Sequence, residues 1–308
     1  MFIEKRKVGK SIKYYLVHSF RDKYNKVVKL RHYLGTNLTE KSLEKLSKRA
    51  EEILKEQIKE TKTSIFDFSL TQKQIDSLNK YDDKIKIHHF SEKEWQQFTE
   101  EFVFNTNAIE GSKILHEDIH EVLERKNPRN FDEMEAQGVE KAINFIRTTK
   151  EDLSIKLLLK LHKLCFEKSK HFAGKLRKVE VVIRGKDGSI IHRGTPPGKL
   201  KNELDEFIKW YKKNKKTFKP LALAGIIHNQ FEDIHPFEDG NGRVGRLLLN
   251  FILLKNNYPP INILLIDRAE YYYVLQKYQK EDEFRPTLKF LIKQYNKTLK
   301  QVTTKKRK

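Results

Sequence analysis

One cysteine, Cys165, is all that 308 residues contain. No disulfide can close within such a chain and a lone thiol builds no zinc cluster. A reducing cytoplasm is the expected compartment. Long apolar runs are missing too: none approaches the ~20 residues that cross a bilayer, so no membrane is expected as a partner. Met1-Phe2-Ile3-Glu4-Lys5-Arg6 lacks the apolar stretch of a signal peptide. There is no internal repeat. At this length the chain has room for one large domain with a real core, plus a small one.

Charge of one sign is abundant, at +21 net, but it is regional. Residues 1–63 carry 17 Lys/Arg against 8 Asp/Glu, Lys209 to Lys219 holds six lysines and no acid, and Lys293 to Lys308 holds seven bases and no acid. The remainder is close to neutral. Such runs either keep a surface solvated or mark contacts with a polyanion.

The opening reads as three strands, Phe2 to Val8, Ile12 to Phe20 and Val27 to Leu34, with polar turns at Gly9-Lys10 and Asp22-Lys23-Tyr24-Asn25. Their β-branched and aromatic content supports the assignment. Thr39 is the expected N-cap of a helix with apolar residues Leu43, Leu46, Ile53, Leu54 and Ile58, and Thr61-Lys62-Thr63-Ser64 a hinge. From about residue 65 the pattern is helical, with helices near 92–108, 117–123, 133–146, 155–166, 200–211, 221–234, 242–254, 268–279 and 286–299. One interruption stands out: Val181-Val182-Ile183 and Ile190-Ile191 flank Gly185-Lys186-Asp187-Gly188-Ser189, a hairpin signal. The fold class is therefore mainly α, a helical bundle carrying a β-hairpin, with a small N-terminal sheet-and-helix module. An isolated hairpin is marginal alone, so it is expected to pack beside something useful.

The informative stretch is His235-Pro236-Phe237-Glu238-Asp239-Gly240-Asn241-Gly242-Arg243-Val244-Gly245-Arg246, between two apolar helices. Glycines at 240 and 242 can aim successive backbone N–H groups into one concavity at a helix start, where the dipole also favours phosphate. Arg243 and Arg246, three apart, share a helix face from which both reach a polyphosphate. Asp239 offers a hard oxygen to magnesium, and His235 has an ordinary pKa suited to taking a hydroxyl proton. A base, a metal ligand, an anion nest and two arginines within twelve residues are the parts of phosphoryl or nucleotidyl transfer.

This stretch resembles the signature of the Fic family, His-x-Phe-x-(Asp/Glu)-Gly-Asn-Gly-Arg-x-x-Arg, at every fixed position. The likeness extends over most of residues 90–300, including Ala173-Gly174-Lys175-Leu176-Arg177 and Arg268-Ala269-Glu270-Tyr271-Tyr272. The resemblance implies a Fic-type bundle and a protein adenylyltransferase moving AMP from Mg2+-ATP to a Ser, Thr or Tyr hydroxyl of a target protein. It implies His235 as the base, Asp239 as the magnesium ligand, Gly240 and Gly242 as amide donors to phosphate, and Asn241 as a holder of the α-phosphate. Arg243 would order the phosphate site, Arg246 bind the γ-phosphate, Phe237 anchor the loop, and Ile183 clamp the target strand as part of a hairpin flap. Where some relatives place an asparagine near the base, this chain has Gln279.

Thr106-Asn107-Ala108-Ile109-Glu110-Gly111 resembles the family's inhibitory motif, on a helix near 92–110. By that likeness Glu110 pairs with Arg246 and misplaces ATP; in some relatives the same glutamate positions water to remove AMP, so the reverse reaction is included. The expected organisation is 1–63 basic module, 64–301 catalytic domain and 302–308 basic tail. A contrasting function is a nucleic-acid-binding regulator working through the basic strands (Lys5, Arg6, Lys7, Lys13, Arg31 among them). Nucleic acid and a second copy of the chain are admitted as partners.

Two other patterns read as decoys. His116-Glu117-Asp118-Ile119-His120 matches His-Glu-x-x-His but lacks a third ligand, and a buried stripe of Leu115, Ile119, Val122 and Leu123 turns both imidazoles aside. Gly9-Lys10-Ser11 has Glu4 where a phosphate loop needs its first glycine. His162 and His228 are expected as core histidines, and of Tyr271, Tyr272 and Tyr273 at least one belongs to the core.

Overall fold

A computed structural model describes residues 1–9, 11–21, 27–60, 70, 72–184, 190–281 and 283–303. The turns expected at Lys10, at 22–25 and at 185–189, the hinge at 61–64 and most of the basic tail lie outside them. The chain divides into two compact units, Met1–Ser77 and Leu78–Lys308.

In the first unit β1 (Phe2–Val8), β2 (Ser11–Arg21) and β3 (Val27–Thr36) form an antiparallel sheet in sequence order. Helix α1 (Glu40–Glu60) begins after Thr39, whose hydroxyl accepts the Ser42 N–H at 3.4 Å, the expected N-cap. Alternate residues of the sheet, Leu16, Leu30 and Leu34, pack with Ala50 and Leu54 of α1 into a small core, as the period of two in a strand requires. Short helix α2 (Gln72–Asn79) spans the division.

The second unit is a helical bundle: α3 (Glu92–Ile109), α4 (Ile119–Glu124), α5 (Phe131–Thr148), α6 (Ile155–Phe166), α7 (Leu200–Asn214), α8 (Pro220–Ile234), α9 (Asn241–Lys255), α10 (Arg268–Glu281) and α11 (Arg285–Thr303). Capping explains several starts. Ser91 and Glu94 make a reciprocal capping box on α3, while Asn130 and Ser154 accept the Glu133 and Leu157 amides at the heads of α5 and α6. Helices α8 and α9 pack on each other, and nearly every side chain of both is buried, polar ones such as Asn229, Glu232, Arg246 and Asn250 included. The interruption is β4 (Val182–Arg184) paired antiparallel with β5 (Ile190–Arg193). No helix among the described residues is long and apolar enough to cross a membrane. Leu115 departs from the expected stripe: it is exposed, because a short 3-10 turn at His116–Asp118 precedes α4 and breaks the periodicity.

Candidate active site

The site grows from the join between α8 and α9. Helix α8 ends where His235 adopts a left-handed conformation, φ 51° and ψ 62°. Pro236 disfavours continuing the helix through the residue before it, and a histidine held at positive φ stores about 1–3 kcal/mol of strain. Several bonds hold it there. Its N–H donates to Phe231 O at 3.0 Å, and its Nδ1–H donates to Glu232 O at 3.2 Å. That second bond fixes the tautomer, leaving Nε2 with its lone pair. Burial first, then the nearby His192 and Arg177 charges, push the imidazole down to about 4. It is thus neutral at ordinary pH and ready to accept a proton, though a weaker base than its unperturbed pKa suggested.

Phe237 is fully buried and stacks on His162, ring centroids 3.9 Å apart. His162 is the expected core histidine, yet it also holds the loop: its Nε2–H donates to Asp239 O at 3.1 Å and its Nδ1 accepts the Gly174 N–H at 2.8 Å. The Asn241 side chain is spent internally, accepting from Phe237 N at 2.9 Å and donating to Phe237 O at 2.8 Å. What it offers a phosphate is the shape of the loop and a backbone N–H. Gly240 sits at φ 82°, and a Cβ there would stand 2.3 Å from the Phe166 ring, so only glycine fits. No side chain caps the N-terminus of α9, which leaves its first amides pointing at whatever enters.

Asp239 is half exposed at the rim. Burial opposes its charge, but Arg243, Lys170 and the Gly240 amide outweigh it and hold the carboxyl below its usual range. Lys170 Nζ lies 3.1 Å from its Oδ2 and 3.5 Å from Glu135 Oε1. An ionised carboxylate already matched to a cation fits magnesium, which needs only one or two protein oxygens when phosphates supply the rest.

The two arginines diverge instead of sharing a face. Arg243 is buried against Glu135 of α5, with its guanidinium 4.4 Å over the Phe166 ring, so it braces the cup from behind. Arg246 is 1% exposed and faces α3: Nε donates to Thr106 Oγ1 at 2.7 Å and Nη2 to Thr106 O at 2.9 Å. Its Nη2 also lies 2.7 Å from Glu110 Oε1. That carboxylate reaches so close to the first turn of α9 that a Cβ on Gly242 would meet it at 2.3 Å. Ile183 is 38% exposed on β4.

Three residues went unnoticed in the sequence. Glu135 and Lys170 gave no local signal, since Glu135 meets Arg243 only across 108 positions. Glu232 did give one, being a lone glutamate inside an apolar helix. It is buried between Gly245, His228 and Arg246, one oxygen lacks a partner, and burial pushes it up to about 8. The zincin-like histidines part company: His116 meets Glu101 and His120 meets Glu100, both at 2.9 Å. Among the described residues no group of three or more His, Cys, Asp or Glu is placed to hold a metal ion.

Residues 152–253 match the Fic/DOC family. The chain is 29% identical over 244 residues to the protein adenylyltransferase Fic of Drosophila sechellia and of Drosophila melanogaster, covering 75% of this chain and 48% of each of those. It thus spans about half the length of these curated relatives. Among solved structures, a Fic domain-containing signaling protein from Bacteroides thetaiotaomicron superposes with TM-score 0.62 at 22% identity, over 75% of this chain and 97% of that one. Fic-1 from C. elegans gives 0.62 at 21% identity, over 86% and 78%. The bundle and its hairpin are a Fic fold.

Proposed function

We propose, on the premise that residues 152–253 are a Fic/DOC-family domain, that this chain is a protein adenylyltransferase, moving AMP from ATP to a hydroxyl side chain of another protein under restraint by Glu110. One observation carries the reading: a carboxylate of the chain's own lies over the uncapped start of α9 while bonded to Arg246. A helix N-terminus and a buried arginine make an anion site, and Glu110 occupies the place of a phosphate oxygen.

The chemistry follows from the same residues. The target hydroxyl gives its proton to Nε2 of His235. Its oxygen bonds to the α-phosphorus as the bond to the bridging oxygen of the β-phosphate breaks, leaving an AMP ester and pyrophosphate. Amides at the start of α9 bear the phosphate charge, Asn241 and His162 keep the loop in shape, and Arg246, once released, receives the terminal phosphate. Asp239 would hold magnesium, which when bound supplies electrostatic relief to the phosphates. Ile183, exposed on β4, would receive a target segment by strand addition. A cytoplasmic setting fits the buried, free thiol of Cys165.

The test incubates wild-type, Glu110→Gly and His235→Ala proteins with each nucleoside triphosphate and magnesium, and reads intact mass. A gain of AMP that is largest in Glu110→Gly and absent in His235→Ala is expected. Replacing the pair's restraint by a hundredfold rise requires only about 2.7 kcal/mol. No gain from any nucleotide in Glu110→Gly would end the reading.

A second reading concerns the N-terminal unit as a nucleic-acid contact. Arg6 lies 5.3 Å over the Tyr15 ring, and Tyr15 and Tyr33 are 5.3 Å apart, a face of cations and rings suited to bases. Glu4, 2.7 Å from Arg6 and 3.3 Å from Arg31, offsets part of that charge. Binding of the full chain to DNA or RNA that weakens steeply with salt supports this role; none at low salt ends it.

A further inference from the structure

Arg177 lies in the segment before the hairpin and is 3% exposed, without a bonded carboxylate among its described contacts. Its guanidinium donates instead to backbone carbonyls: Nε to His235 O at 2.7 Å, Nη1 to Val179 O at 2.8 Å, and Nη2 to Thr195 O and, at 3.4 Å, to Ile234 O. Its own N–H donates to Pro236 O at 3.1 Å. One side chain thereby ties three segments: the lead-in to β4, the exit from β5, and the last turn of α8 with the histidine. Two further bonds cross the same seam, from Thr195 N to Ile234 O at 3.1 Å and from His192 Nε2 to Asp233 O at 2.8 Å. Gly194 makes the approach possible: a Cβ there would lie 2.7 Å from Arg177 Nη2 and 3.0 Å from His235 Cβ.

We propose that Arg177 is a positioning residue that locks the hairpin to the backbone of His235, so that a segment docked on the hairpin presents its hydroxyl in register with the imidazole. This rests on the adenylyl-transfer reading. The physical argument is the chemistry of the carbonyls it serves. A helix end leaves its last carbonyls without partners, and His235 keeps a left-handed backbone only if surrounding bonds over-determine it. A planar fork satisfies several such acceptors in fixed directions, whereas an ammonium is a single point of charge. The hairpin, too small to hold itself in place, gains its orientation from the same fork.

The anion cup is built separately, from α9, Glu135 and Thr106, which separates positioning from nucleotide binding. In the Glu110→Gly background, Arg177→Lys, Arg177→Met and Gly194→Ala are compared with their parent by nucleotide-analogue titration, rate of AMP transfer, melting temperature, and NMR titration of the His235 ring. The expected result is unchanged nucleotide affinity with transfer slower by about a hundredfold, the scale of a misplacement near 1 Å. The imidazole should titrate closer to its ordinary value, since a released ring regains water. Transfer at the parent's rate, or affinity and transfer lost together with the fold, overturns the proposal. A parent without His235-dependent AMP gain defeats the adenylyl-transfer reading; the ring titration in Arg177→Lys then decides the placement of His235 alone, and an unmoved ring refutes it.

Discussion

At the scale of single residues, the site's chemistry follows from which groups the fold keeps charged. His235 is held neutral with Nδ1 spent on Glu232 O and Nε2 open. A base depressed to about 4 is lost only when pH falls through that value. The transfer rate of Glu110→Gly should therefore show no acid limb between pH 8 and about 5, in contrast with a limb near 6.5 for an unperturbed imidazole; a pH–rate profile decides. Lys170 yields a second prediction. Its ammonium sits 3.1 Å from Asp239, where a divalent cation would compete with it. In Lys170→Met, nucleotide-analogue binding should reach half-saturation at lower magnesium, as calorimetry at graded magnesium would show. Of these residues His235, Asp239 and Glu110 were legible because each lies in a contiguous motif whose spacing carries its meaning. Lys170 and Glu135 were not, because only the fold brings them to the loop.

At the scale of elements, apolar periodicity made most helices legible within a few positions, and the structure adds the caps that start them. Ser91 with Glu94, Asn130 and Ser154 all cap the helices expected after them. What the sequence withheld was how closely those helices approach. Gly138, in the middle of α5, carries no turn or positive φ, and nothing local distinguishes it from a weak helix residue. Its meaning comes from α6: a Cβ at 138 would stand 2.3 Å from Cys165 O and 2.7 Å from Leu164 O. Neither backbone atom can rotate away, so Gly138→Ala must part the helices. The expected cost is about 1–3 kcal/mol for overpacking, exceeding the helix-propensity gain of under about 1 kcal/mol from replacing glycine. Thermal denaturation should show a lowered midpoint. Since α6 carries His162 and Phe166, which support the loop between α8 and α9, nucleotide affinity should weaken with it. A variant as stable as its parent would show that the two helices separate freely.

At the scale of the whole molecule, the net charge of +21 says little about the site, whereas a few buried titratable groups set how the second unit responds to pH. His162 and His228 are 0% and 1% exposed, and burial pushes both down to about 4. The unfolded chain binds their protons near 6.5, so their contribution is intact above that value and lost as pH falls toward 4, about 3 kcal/mol each at the acid limit. Glu232 works in the opposite sense. Burial raises it to about 8, so the fold favours its protonated form; that advantage is full below about 4.5 and disappears as pH climbs to 8. The two slopes together place maximal stability between them, near pH 6 to 7. Glu232→Gln keeps the shape, removes the charge that must otherwise be buried or neutralised, and should raise the melting midpoint more at pH 8 than at pH 5. Equal shifts at both values would mean that Arg246 already balances the Glu232 carboxylate, and that the orphaned oxygen beside Gly245 costs the fold nothing.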